Sequence, residues 1–167
     1  MAVKIKMAIK KIIDITKVIS NNMVIYPSDP AVKIEEIKRH NVTLTKINIA
    51  SHTGTHLDMP KHMLENGKSL DFLNLNDVIG ECVVLDFTNI NDKISIEDIK
   101  NKSINSKNIV LIKTKNSFDK KFNKNSVYLA EDAVKYLISK KIKTIGVDGM
   151  SIDKFHSNNC PNHNLLL

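Results

Sequence analysis

The segment Ser51-His52-Thr53-Gly54-Thr55-His56-Leu57-Asp58-Met59-Pro60-Lys61-His62 sets the tightest limit on how this chain folds. Three of the six histidines and one aspartate fall within its last eleven residues, all at even positions. With a side-chain period of two, extended backbone turns all four toward one side. A helix presenting His52 and His56 one turn apart is opposed by Gly54 and Pro60 inside it. A straight strand also fails, because it separates His52 from His56 by about 13 Å at ~3.3 Å per residue. That is at or beyond the reach of two imidazoles sharing one ion through bonds of ~2.1 Å. The segment is therefore expected to bend, and Gly54 sits where a bend brings the two rings together. Imidazole and carboxylate donors suit zinc, with manganese or iron as alternatives. A lone histidine is more often a satisfied surface or core residue, but four donors in phase point to a metal site built on His52, His56, Asp58 and His62.

Around this segment the pattern is that of a mixed, strand-rich α/β chain forming a single domain over 1–167. Residues 3–15 and 42–50 (VTLTKINIA) are rich in β-branched residues and read as strands. Between them Tyr26-Pro27-Ser28-Asp29-Pro30 is a rigid turn, since two prolines fix φ and remove donors. The apolar runs at 81–87 and 108–113 are expected as strands covered on both faces, with Cys82 a buried, reduced thiol. Ser95-Ile96-Glu97-Asp98 resembles a capping box opening a short helix. Residues 130–140 place Ala130, Ala133, Val134, Leu137 and Ile138 on one helical stripe, and KTIGVDG reads as a further strand ending on a glycine turn. The sequence stops within the apolar run Asn164-Leu165-Leu166-Leu167, as if an element continued past it.

Composition removes several classes of function. The formal net charge is +7, yet Arg39 is the sole arginine, aromatics are 5% of residues and the lysines are scattered. A nucleic-acid face requires clustered cations, often with aromatics between them, so none is expected. No stretch reaches the roughly 18 to 20 apolar residues of a spanning helix. The basic, apolar start lacks the cleavage pattern of a signal peptide, and two cysteines make no disulfide framework. A cytoplasmic protein with a small-molecule substrate and no membrane or nucleic-acid partner is the expectation.

The motif HTGTHLDMPKH, with YPSDP before it and ENGKSLDFL after it, resembles the His-x-Gly-Thr-His-x-Asp-x-Pro-x-His signature of the bacterial kynurenine formamidase and putative cyclase family. IIDIT near the start, KTIGVDGMSID at 143–153 and CPNHNLLL at 160–167 resemble further landmarks in the same order. The resemblance implies a swivelling β/β/α fold, a homodimer or tetramer, and one or two metal ions, usually zinc, with manganese as the alternative. It implies that His52 and His56 bind the first ion, that Asp58 bridges to a second, and that His163 binds that second ion. His62 would be the proton donor and acceptor, and Tyr26 stands beside the position of a substrate-stacking aromatic. The implied activity is hydrolysis of a small amide by metal-activated water, an N-formyl arylamine of tryptophan catabolism such as N-formylkynurenine or a cyclic amide.

Two departures from the pattern keep alternatives open. The family's bridging glutamate lies a little beyond the stretch matching His163–Leu167, so the chain reads as a member whose C-terminal portion is missing. An inactive or weakly active metal-binding remnant is one rival, and a cyclase or dehydratase of the same family is another. The chain also has no tryptophan. Cys160 is expected to pack and His156 to sit in a loop. Asp148 and Asp153 are expected to support the loop GVDGMSID by turn hydrogen bonds, orientation of a ligand histidine being the other role open to them.

Overall fold

A computed structural model describes residues 14–167. The strand expected over 3–15 lies outside the described residues, apart from Asp14 and Ile15, which are in irregular backbone. The described chain divides into two compact units: residues 14–23 with Pro30–His56, and Val24–Asp29 with Leu57–Leu167.

The first unit is a hairpin with a loop at each end. β1 (Lys33–Arg39) pairs antiparallel with β2 (Val42–Asn48), Lys33 facing Asn48 and Arg39 facing Val42. Only two residues join them, and His40 takes a left-handed φ of 52° in that turn. The sequence KIEEIKR carries two apolar residues, so β1 has no periodicity to announce it and exists by pairing with β2. Asn21 fixes the preceding segment to this hairpin: its Oδ1 accepts the Ile34 N–H at 2.6 Å and its Nδ2 donates to the Ile34 carbonyl at 3.1 Å. Beyond β2, the Lys17 N–H donates to Thr55 Oγ1 at 2.8 Å, holding the histidine loop against the same segment.

The second unit is built on a parallel sheet. A short helix α1 (Leu75–Val78) leads into β3 (Cys82–Asp86), followed by β4 (Lys93–Ile94) and α2 (Ile96–Ile99). Then come β5 (Ile109–Lys113), β6 (Tyr128–Leu129), α3 (Glu131–Ser139), β7 (Thr144–Val147) and α4 (Pro161–Leu166). The main sheet runs β3-β5-β7, all parallel, and β4 pairs with β6 in a small second sheet. The described chain is thus mixed α/β with more strand than helix, as expected.

Among the described residues the main cluster of buried apolar side chains lies in this unit. Val110 and Ile112 of β5 are buried, and α3 turns Ala133, Val134 and Leu137 inward, each fully buried. These are three of the five residues of the expected stripe; Ile138 is 41% exposed, and Ala130 is half-buried just before the helix. Glu131 and Asp132 occupy the first turn of α3, where acidic groups suit the helix dipole. The capping box of α2 is present too: the Asp98 carboxylate accepts the Ser95 N–H at 2.8 Å and the Ser95 hydroxyl at 2.7 Å. These hydrogen bonds, the hydroxyl's first, hold the Asp98 pKa below its ordinary value.

One expectation fails here. Cys82 is exposed, not buried, and Val84 on the same strand is 58% exposed. Among the described residues β3 stands at the edge of the sheet, and Cys82 and Val84 share the face opposite buried Leu85, whereas β5 is flanked by strands on both sides. An apolar run does not by itself say whether a strand is central. Among the described residues no helix is long and apolar enough to cross a membrane.

Candidate metal centre

The histidine loop is bent, and Gly54 makes the bend. Residues 51–55 form turns and not strand, with Gly54 at φ +69°. A Cβ at Gly54 would sit 3.2 Å from Ile19 Cγ1, on backbone that L side chains rarely adopt. The turn brings the ring centroids of His52 and His56 to 4.9 Å, where a straight strand would hold the residues about 13 Å apart. His56 Nδ1 lies 2.9 Å from the Gly54 carbonyl oxygen. A carbonyl only accepts, so Nδ1 donates in this contact and carries the proton of the neutral ring.

In the second unit Asp58, His62 and His163 come together. One donor atom from each lies within 4.8 Å of the other two, and the rings of His62 and His163 are 5.7 Å apart. Donors on a tetrahedral ion at ~2.1 Å bonds stand about 3.4 Å apart, so the three donor atoms lie at a spacing suited to holding an ion or standing directly beside one. Two imidazoles and a carboxylate are a hard-to-borderline donor set that fits zinc or manganese.

Local sequence explains how His62 is placed. Pro60–His62 is a single 3-10 turn with Pro60 at its start, where a missing N–H costs nothing. The His62 N–H closes the turn on the Met59 carbonyl at 2.8 Å. Gly67 packs directly on this turn: a Cβ there would lie 2.4 Å from the Pro60 carbonyl carbon, so only glycine fits.

His163 arrives from the other end of the unit, on the first turns of α4, with Pro161 at the helix start. The loop leaving β7 feeds it. At the carboxyl end of the sheet, Asp148 accepts the Thr114 N–H at 2.6 Å and the hydroxyls of Thr114 and Ser117 at 2.8 and 2.5 Å, tying β7 to β5. Five residues on, Asp153 Oδ2 lies 2.6 Å from His163 Nδ1. The chain reverses through left-handed residues at His156, Asn159 and Cys160 to make that contact. Cys160, Asp153 and His163 also offer donor atoms within 4.8 Å of one another. Both Asp153 oxygens already accept N–H groups from Asn162 and His163, so this is a hydrogen-bonded support more than a coordination set.

Tyr26 stands outside the donor group. Its ring meets Phe122 edge-on at 5.4 Å and Phe155 at 6.0 Å, and those two lie 5.1 Å apart. The three rings line a cleft whose wall includes Met150 and Asp153. Phe122 and Phe155 carried no signal in the sequence, being isolated aromatics in polar loops. His156 packs against Phe155 with ring centroids 3.9 Å apart and the rings tilted by 51°, and it belongs to no donor group among the described residues.

Residues 13–154 match the model of a family described as Putative cyclase. Among curated proteins, the kynurenine formamidase of Erythrobacter litoralis is 28% identical over 163 residues, which span 95% of this chain and 74% of that protein. Among solved structures, one described as a potential metal-dependent hydrolase with cyclase activity is 35% identical, with a TM-score of 0.83, over 93% of this chain and 76% of that one. A predicted metal-dependent hydrolase from Bacillus stearothermophilus is 37% identical, with a TM-score of 0.82, over 93% and 77%.

Proposed function

We propose that this chain, which belongs to the Putative cyclase family and is similar to metal-dependent amide hydrolases, hydrolyses a small N-formyl arylamine such as N-formylkynurenine, a cyclic amide being the second candidate. The observation that carries this reading is the meeting of Asp58, His62 and His163 from distant parts of the sequence, with donor atoms within 4.8 Å.

In this reading His52, His56 and Asp58 would hold a divalent ion, zinc or manganese, and His163 would serve a second one with Asp58. The paired rings of His52 and His56 support the first set. Asp58 follows His56 by two residues, so chain connectivity alone keeps their Cα atoms within about 7 Å. A divalent ion bound there supplies Lewis acidity, lowering the pKa of water from about 15.7 toward 7 and polarising the carbonyl of the substrate.

The remaining work falls to the protein's own groups. An amine leaves poorly unless it is protonated, and His62 is the residue to move that proton. It is solvent-exposed, it stands beside His163, and imidazole both takes and gives a proton near neutrality. Tyr26, Phe122 and Phe155 offer ring faces and edges to an aryl group at the cleft that Asp153 also lines.

Self-association is part of the proposal. Leu70, Phe72, Leu75 and Ile79 are each more than 60% exposed within ten residues of sequence, and apolar exposure on that scale marks an interaction surface. A cytoplasmic dimer or tetramer fits it.

The test is turnover. Zinc-loaded protein is assayed for formate release from N-formylkynurenine and for ring opening of a cyclic aryl amide. A kcat/KM of about 10⁴ M⁻¹s⁻¹ or more on either is expected. Release no faster than in buffer from both substrates would refute the assignment.

A further inference from the structure

Asp153 is 5% exposed, and its carboxylate spends both oxygens on the start of α4. Oδ1 accepts the Asn162 N–H at 2.9 Å, and Oδ2 accepts the His163 N–H at 3.2 Å. Oδ2 also lies 2.6 Å from His163 Nδ1. The helix start is pinned from its other side as well: Asn162, 2% exposed, donates Nδ2 to the carbonyls of Leu129 at 2.7 Å and Ile152 at 3.3 Å. The imidazole of His163 is thus fixed by a backbone that cannot swing and by a buried acceptor on one ring nitrogen.

We propose that Asp153 is the positioning residue for His163, setting its ring so that Nε2 alone faces Asp58 and His62. The step rests on the reading of His163 as a ligand. A carboxylate oxygen offers no proton, so the proton of the neutral ring lies on Nδ1 and the lone pair on Nε2. A histidine that binds an ion through one nitrogen commonly donates its other N–H to a carboxylate, which orients the ring and raises its basicity. Here the carboxylate is buried and held by two further N–H groups, so it cannot rotate away when an ion arrives. The sequence distance of ten residues is closed by left-handed backbone at His156, Asn159 and Cys160, with φ of 59°, 63° and 41°. Non-glycine residues in that region cost free energy, and the contact they make possible is the Asp153–His163 pair.

The experiment has two readouts that a loop-supporting role would not move. The first is the His163 tautomer in metal-free protein at fixed pH, read from the ring ¹⁵N shifts; an Nδ1–H ring is expected in the parent and an Nε2–H ring in Asp153→Ala. The second is zinc affinity, measured by competition with a chromophoric chelator. Asp153→Ala should weaken the ion held by His163 about 10- to 100-fold, while Ser151→Ala, which removes only the 3.1 Å hydrogen bond to the Asp153 N–H, should leave tautomer and affinity unchanged. A parent His163 in the Nε2–H form overturns the proposal, and this reading stands even where Asp153→Ala fails to fold. Zinc affinity of folded Asp153→Ala within threefold of the parent overturns it too. If the parent binds no zinc at all, the proposed function fails, while the tautomer still decides the positioning.

Discussion

Replacing Gly54 by alanine tests the bend on which the His52–His56 pair depends. Two effects compete. The new Cβ would lie 3.2 Å from Ile19 Cγ1, a contact a few tenths of an ångström too close. Ile19 is 40% exposed and can turn aside, so this part is small. The φ of +69° is the larger effect, because a left-handed conformation costs an L residue about 1–2 kcal/mol. Alanine also restricts the unfolded chain, which returns about 0.4–1 kcal/mol. The melting temperature should therefore fall only slightly. Metal binding sees the whole strain, since it weighs the bent loop against other folded conformations. A cost of 1–2 kcal/mol lowers the bent population, and the affinity with it, by a factor of about 5 to 30. Calorimetric titration of zinc into metal-free parent and Gly54→Ala reads this directly. The double variant Ile19→Ala/Gly54→Ala should recover little of the loss. Equal affinities for parent and Gly54→Ala would refute the reasoning, and full recovery in the double variant would show that contact, not φ, was the cause.

Three further outcomes are expected. His62→Ala should slow hydrolysis by roughly 10² to 10⁴ with metal content nearly unchanged; loss of metal in step with activity would make His62 a ligand instead. Leu137→Ala removes a side chain that is fully buried under α3 and should cost about 2–5 kcal/mol in urea unfolding, against a change near zero if α3 is not packed as described. Asp98 has a pKa lowered by its bonds to Ser95, so its stabilising effect is whole above about 3.9, the unfolded value, and fades as pH falls through the lower folded value. Asp98→Asn should therefore reduce stability at neutral pH and flatten its acid dependence below about pH 4, as acid-dependent melts will show.

The parts of the molecule that were legible in the sequence are those governed by local rules. Glycine and proline around His52, His56 and Asp58 excluded a helix and demanded a bend, and the bend lies at Gly54. The stripe of Ala133, Val134 and Leu137 and the Ser95–Asp98 box are likewise short-range patterns, and both are present. What stayed hidden depends on partners remote in sequence. β1 is held by cross-strand pairing more than by its own composition. Cys82 shares with Val84 a face of β3 that the described residues leave uncovered, which its apolar run cannot express. For Asp153 the sequence leaves loop support and orientation of a histidine both open, because nothing in GVDGMSID says that the chain will reverse and bring His163 Nδ1 to 2.6 Å. The gathering of Phe122 and Phe155 around Tyr26 joins three loops, and no periodicity links them.

The central claim is that His52, His56, Asp58 and His163 hold the metal that makes the protein a hydrolase. One measurement addresses it most directly: metal per chain by mass spectrometry, taken with N-formylkynurenine turnover, on the same samples of parent, His56→Ala and Asp58→Ala. The account predicts one to two zinc ions per parent chain, loss of most of that metal in both variants, and loss of turnover in proportion. Both variants retaining the parent's metal, or a chelated, metal-free parent hydrolysing the substrate at its full rate, would contradict it.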